Sequence, residues 1–361
     1  MRAGVAAVLL GLALGAACTG RGADVPRAAP AATSAVAAPA ATVPSAGGSA
    51  PVAVVAPATA VRASFSIMSG ALGPFWVAQE AGLWQQHGLD VDLSLISGAP
   101  TSMAALMAGD TRFAIAAGDS VLGVQAQNPD VVAILNTSVG STHQLMVVPD
   151  IHTPADLRGR RVGVNSIGDG SYTLLSKAFR HLGLDPTHDV IWTAMGGGNA
   201  ASYVTGLAVG SLDAAPLTPP NDLLAERQGA HSLLALADLD LATAGLPAFT
   251  MRHTIQEQRP VVEAFAAGVV DGVRRFKADP AFAREVLAQK TGTTDPEVLD
   301  WTYQVYSGRN STDRPFIDAA RLQTVVDDLA VAQPELRQIQ LDKTFDNSIL
   351  DDLERQGYFA Q

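Results

Sequence analysis

Two acids, Asp119 and Asp169, stand in loops of small residues, 117–120 and 165–171. A carboxylate in such a loop attracts an amine or a protonated heterocycle and opposes a sulfonate or a nitrate. As a helix cap it needs no ligand at all. Five loops share this composition: 69–73, 97–101, 117–120, 165–171 and 195–199. None contains Arg or Lys, so an anion would be held there by N–H groups and hydroxyls. The candidate contacts are Ser69, Gly70, Gly98, Thr101, Gly118, Asp119, Ser120, Gly170, Ser171, Gly197 and Asn199. Phe75, Trp76, Tyr172 and Trp192 fall on or near the same side. Each serves a core equally well, and Tyr172, directly after Ser171, is the best placed to stack on a ring. Thr142 and His143 fall near the expected junction between two halves of the chain, and a single His there is more often structural than a ligand contact. Signatures of catalysis are absent from the sequence: no P-loop, HExxH, GxSxG or CxxC. The seven His residues lack metal spacing, and no cofactor or metal is expected. Asp119 with His143 is the one acid–base pair worth testing as an enzyme.

The elements that position these loops follow one rhythm. A short apolar run ends in Gly, Ser or Thr, and a helix-period segment follows. Strands are expected at 64–68, 91–96, 113–116, 161–164 and 190–194, with helices at 102–108, 172–182 and 201–209. Strand–helix alternation implies a mostly parallel sheet with helices on both faces, and ligands bind such sheets outside the carboxyl ends of the strands. The fragments 105–114 and 206–215 resemble each other: each reads as a helix end, a Gly cap (Gly109, Gly210) and a polar turn before a buried strand. A separation near one hundred residues implies two similar α/β lobes rather than a short-period solenoid. From 256 onward the pattern is helical. Segments 260–278, 280–290, 296–307 and 315–332 each open with a Pro and are expected to pack on the first lobe.

Composition narrows the partners. A formal charge of −11 argues against a binder of nucleic-acid phosphates. One Cys excludes an intrachain disulfide and a cysteine zinc site. Arg2 precedes a bare apolar run, Val5 to Ala17, that would span about 20 Å as a helix, too short for a ~30 Å hydrocarbon core. The run reads as the apolar part of an export signal. It ends in Leu14-Gly15-Ala16-Ala17-Cys18, which resembles a bacterial lipobox and makes Cys18 the expected lipidation site. Residues 19–60 are nearly all Ala, Pro, Ser, Thr, Gly and Val, a composition too poor in large apolar side chains to offset backbone ordering. The expected plan is a signal peptide over 1–17, a tether over 18–60, then the globule.

The stretch Pro74-Phe75-Trp76-Val77-Ala78-Gln79-Glu80-Ala81-Gly82-Leu83-Trp84, followed by His87-Gly88-Leu89-Asp90-Val91, resembles the opening of bacterial substrate-binding proteins of the nitrate, sulfonate and taurine type. That group also includes binders of pyrimidine precursors of thiamine. Segments 153–164 and 183–186 and Leu217-Thr218-Pro219-Pro220 fit the same pattern. The resemblance implies a type II periplasmic-binding fold, with two α/β lobes joined by a two-strand hinge and a helical C-terminal segment packed on lobe 1. It places lobe 1 at 61–145 and 246–361, lobe 2 at 146–245, and adds Thr218 to the contacts. It further implies a monomer outside the cytoplasmic membrane that hands a small-molecule solute to an ABC permease with its ATPase and meets the membrane only through the lipid. A ligand sensor for a signalling partner and a secreted enzyme on the same scaffold are the alternatives. The family's pyrimidine-building enzyme uses a cysteine-rich motif, which this chain lacks.

Overall fold

The structure, a computed structural model, describes residues 58–168, 170–196, 200–239, 241–308, 311–331 and 333–359. The expected signal peptide, Cys18, Asp169, Gly197 and Asn199 lie outside the described residues, as does nearly all of the expected tether.

Ten strands form two five-stranded sheets. The first holds β1 (Thr59–Phe65), β2 (Leu89–Leu95), β3 (Phe113–Ile115), β4 (Val131–Asn136) and a late strand, Pro247–Met251. The second holds β5 (Gln144–Val147), β6 (Arg160–Val164), β7 (Val190–Ala194), β8 (Ala214–Leu217) and β9 (His231–Ala235), which makes Pro247–Met251 β10. The strand orders are β2-β1-β3-β10-β4 and β7-β6-β8-β5-β9. Each sheet has three parallel strands and then an antiparallel fourth. That fourth strand is the one that has just arrived from the other sheet: β5 directly follows β4, and β10 follows β9. The repeated fragment is thereby explained. The helices Ala99–Ala108 and Ala200–Ala208 lead through left-handed Gly109 and Gly210 into β3 and β8, the third strands of their sheets.

β1 starts earlier than the alternation at 64–68 suggests, and Thr59 and Ala60 of the expected tether belong to it. Val61, Ala63 and Phe65 point into the core while Arg62 faces out, and the Thr59 N–H donates to the Gly88 carbonyl at 2.8 Å. The C-terminal helices pack on the first sheet as expected. Phe265 of the helix Arg259–Ala278 is stacked between Phe113 (3.8 Å between ring centres) and Trp84 (5.4 Å), and the Trp84 indole donates to the Phe265 carbonyl. The helix expected over 315–332 is shorter, Ala319–Leu329. Ile317 is drawn into the core, and the Asp318 carboxylate caps the N–H groups of Ala320 and Arg321 instead.

Candidate functional site

A cavity of about 270 Å³ opens at the carboxyl ends of both sheets. Residues after β1 and β3 line one side, and residues after β6 and β8 the other. The two crossovers between sheets, 137–143 and 236–246, form its back, and neither is a regular strand. Asn136 stitches them together. Its amide donates to the Ala244 carbonyl, and its Oδ1 accepts the N–H groups of Ser138 (3.3 Å) and Leu246 (3.0 Å).

Of the expected contacts, the cavity brings together Ser69, Asp119, Ser120, Thr142, Gly170, Ser171 and Thr218, with His143 beside them. Others lie elsewhere. Phe75 is fully buried in the first core with Trp76. Gly70 lies under Thr302 and Tyr306, and Gly118 is pressed on Ala244, so both are packing positions outside the lining. Gly98 and Thr101 are exposed and do not reach the cavity. Tyr172 does not face it either. Its ring tilts against Trp192 with centres 4.7 Å apart, on the side of the second sheet's core, so it cannot offer a stacking face to a ligand there.

Sequence reasoning missed Thr173, Lys177 and Tyr203, which line the cavity from helix faces rather than loops. The signal was helical spacing. Thr173 and Lys177 are four residues apart on the helix Gly170–His181, so a first turn in the site carries the second along. The loops thus lack a cation, but the site does not. Tyr306 was out of reach: it sits on the helix Pro296–Ser307 and is buried behind the cavity, where its hydroxyl lies 3.1 Å from Ser69 Oγ and donates to the Pro219 carbonyl. Burial raises its pKa, against the opposing pull of the neighbouring hydroxyls of Ser69, Thr218 and Thr142. One side chain therefore joins loops that follow strands of both sheets.

Burial governs the acid and the imidazole as well. The Asp119 carboxylate is half-buried in the cavity wall and crowded by protein atoms. This raises its pKa, against the opposing pull of the Ala244 N–H and of Lys177. Burial lowers His143 to about 4, so the ring is neutral at pH 7, with Nδ1 3.2 Å from Ser141 Oγ. Between that value and its usual 6.5 the unfolded chain binds more protons at this residue than the folded one. Stability should therefore fall by about 2 kcal/mol as pH drops through that window, the partial solvent contact reducing the full linkage value. Asp119, with its raised pKa, works in the opposite sense on acidification. Urea midpoints against pH check this: His143→Gln should flatten the slope, and an unchanged slope in the variant would assign the loss to other groups.

Both flanks of the cavity are tied. On one, Lys177 pairs with Asp328 at 2.6 Å and the Gln333 amide donates to the Gly168 carbonyl. On the other, Arg227 clasps Asp295 and Glu297, and the Trp301 indole donates to the Asp222 carboxylate at 2.9 Å. Each tie joins the second sheet's layer to the C-terminal helices packed on the first. The described residues contain no grouping of three or more His, Cys, Asp or Glu fit to hold a metal, and no helix long and apolar enough to cross a membrane.

Paired α/β sheets of this order, crossed twice and closed over one cavity, define the periplasmic-binding-protein fold. The chain belongs to the NMT1/THI5-like family, whose profile matches residues 71–283. A protein of Brucella abortus strain 2308, named only as a binding protein, is 25% identical over 239 residues, 64% of this chain and 73% of its own. The taurine-binding periplasmic protein of Escherichia coli K12 is 28% identical over 199 residues, 54% of this chain and 60% of its own. Among solved structures, the alkanesulfonate-binding protein SsuA of Xanthomonas axonopodis pv. citri, bound to MOPS, superposes with a TM-score of 0.66 at 19% identity, covering 81% of this chain and 99% of its own. The desulfurization enzyme DSZB, as a point mutant in complex with biphenyl-2-sulfinic acid, shares the fold at TM-score 0.64 and 15% identity, covering 82% and 99%. The resemblance to substrate-binding proteins drawn from the sequence is borne out, and the family and its neighbours are mostly binding proteins.

Proposed function

We infer that this protein captures a small organic solute in the interlobe cavity and delivers it to an ABC import permease, binding the solute without transforming it. The observation that carries this reading is the cavity itself. Its walls come from both sheets and both crossovers, so a guest that touches Ser69 and Asp119 on one side and Ser171 and Thr218 on the other contacts both lobes at once. Such a guest favours the closed arrangement by its differential affinity for it. The taurine- and sulfonate-binding names among the relatives support a polar, low-molecular-weight solute. The leader and Cys18 support export and lipid anchoring, with residues 19 to 58 as a leash. Titration of a panel of sulfonates, amines and pyrimidines, followed by tryptophan fluorescence and melting temperature, tests the reading. Saturable binding by one class is expected, and no response from any class would sink it. The same preparation partitioned in Triton X-114 should enter the detergent phase, and Cys18→Ser should move it to the aqueous phase.

A further inference from the structure

Resting on the reading of the cavity as the solute site, we propose that Asp119 makes it selective for solutes carrying a cationic nitrogen and sets it against simple monoanions. The charge balance of the cavity leads there. Among the described lining residues Asp119 is the only carboxylate and Lys177 the only permanent cation. His143 adds no charge at neutral pH. Lys177 is already engaged: its ammonium sits 2.6 Å from Asp328 and donates to the Ala242 carbonyl at 3.2 Å. With Asp119 ionised, the three side chains Asp119, Lys177 and Asp328 sum to one uncompensated negative charge.

The missing positive charge belongs at Asp119. One oxygen of its carboxylate accepts the Ala244 N–H at 3.2 Å, longer than charge-assisted bonds to carboxylates usually run. The group is otherwise desolvated, a costly state for a charge without a close partner. Gly170, on the first turn of a helix from the second sheet, faces it so closely that a Cβ there would lie 3.4 Å from the Asp119 Cβ. A nitrogen held by Asp119 is therefore held between the lobes. The remaining polar demand of the cavity is neutral. Thr173 Oγ1 and Thr243 Oγ1 are buried and without a hydrogen-bond partner among the described residues. They suit the uncharged or acceptor end of the same solute. An anion lacking the nitrogen would instead place like charge beside the desolvated carboxylate.

Matched probes that differ in one nitrogen test this on the full chain: 3-aminopropanesulfonate against propanesulfonate, and benzylamine against benzyl alcohol. Calorimetric titration should show the nitrogen-bearing member of any binding pair about tenfold tighter. Asp119→Asn should erase that preference, and Asp119→Glu, which retains the charge, should keep most of it. A melting curve near wild type confirms that each variant folds. Equal binding within the pairs, or a preference that survives in Asp119→Asn, overturns the charge assignment and leaves the solute-binding reading standing. A wild-type protein that binds neither member of either pair at millimolar concentration overturns the assignment for these amines. If it is also silent to the wider panel, the solute-binding reading falls with it.

Discussion

Lys177→Met should lower the free energy of unfolding by about 2 kcal/mol and loosen the tie between the second sheet's layer and the C-terminal helices. The side chain is 11% exposed, and its ammonium is shared between Asp328, on the helix Ala319–Leu329, and the Ala242 carbonyl in the second crossover. Met keeps much of the stem's packing, so the loss isolates the charge. Removing one partner of a well-buried pair costs more than the pair contributes, because the other charge is stranded. Here the stranded Asp328 is 38% exposed and can turn to water, which holds the cost below that of a fully buried pair. Asp119 suffers too, since Lys177 is one of the influences that hold its pKa down. Asp328→Asn should therefore cost less than Lys177→Met, the ammonium keeping both Ala242 and the field of Asp119. Denaturant midpoints for the two variants and their double mutant give the coupling, and small-angle scattering reads the loosening as a larger radius of gyration. A Lys177→Met protein with the wild-type midpoint and radius would show that this tie carries neither stability nor compactness.

How far the residues alone lead is clear from these same positions. Strand, loop and helix were legible because each apolar run in the sheets is short and ends in a small residue, and because the parallel sheet puts every such loop on one edge. Asp119, Ser171 and Thr218 reach the cavity for that reason. What failed was the step from edge to cavity. Gly98 and Thr101 lie on the same edge of the first sheet, but they follow β2, an outer strand, and are exposed to solvent. Tyr172 follows Ser171, yet consecutive residues on a helix point about a hundred degrees apart, so a neighbour of a lining residue is turned away from it. The cation was missed for the complementary reason: Lys177 stands almost two turns inside its helix, on the face that Gly170 and Thr173 begin. Tyr306 could not be read at all. More than 230 residues separate it from Ser69, and only the return of the chain through β10 and the C-terminal helices brings the two hydroxyls together.

The same return makes Gly245 the most sensitive backbone position near the site, and Gly245→Ala is expected to cost about 3 kcal/mol, with a fall in melting temperature of roughly 6 °C and loss of solute binding. Two effects add. Its φ of +66° is a left-handed conformation that a side chain adopts only at a cost of about 1 kcal/mol. A Cβ there would also lie 2.2 Å from the Ser138 carbonyl oxygen and 2.6 Å from Asn136 Oδ1, and neither can withdraw. Ser138 is backbone of the other crossover, and Asn136 is the side chain that binds the two crossovers together. The methyl group must push the crossovers apart, and they are the back of the cavity. Gly292→Ala separates the two effects: φ is similar at +74°, but nothing stands within 4 Å of the added carbon, so it should cost only the conformational ~1 kcal/mol and leave binding intact. If the two variants melt together and bind alike, the crossovers are not in the tight contact that shapes the site. If Gly245→Ala alone loses both, the junction between the sheets is what holds the cavity in form.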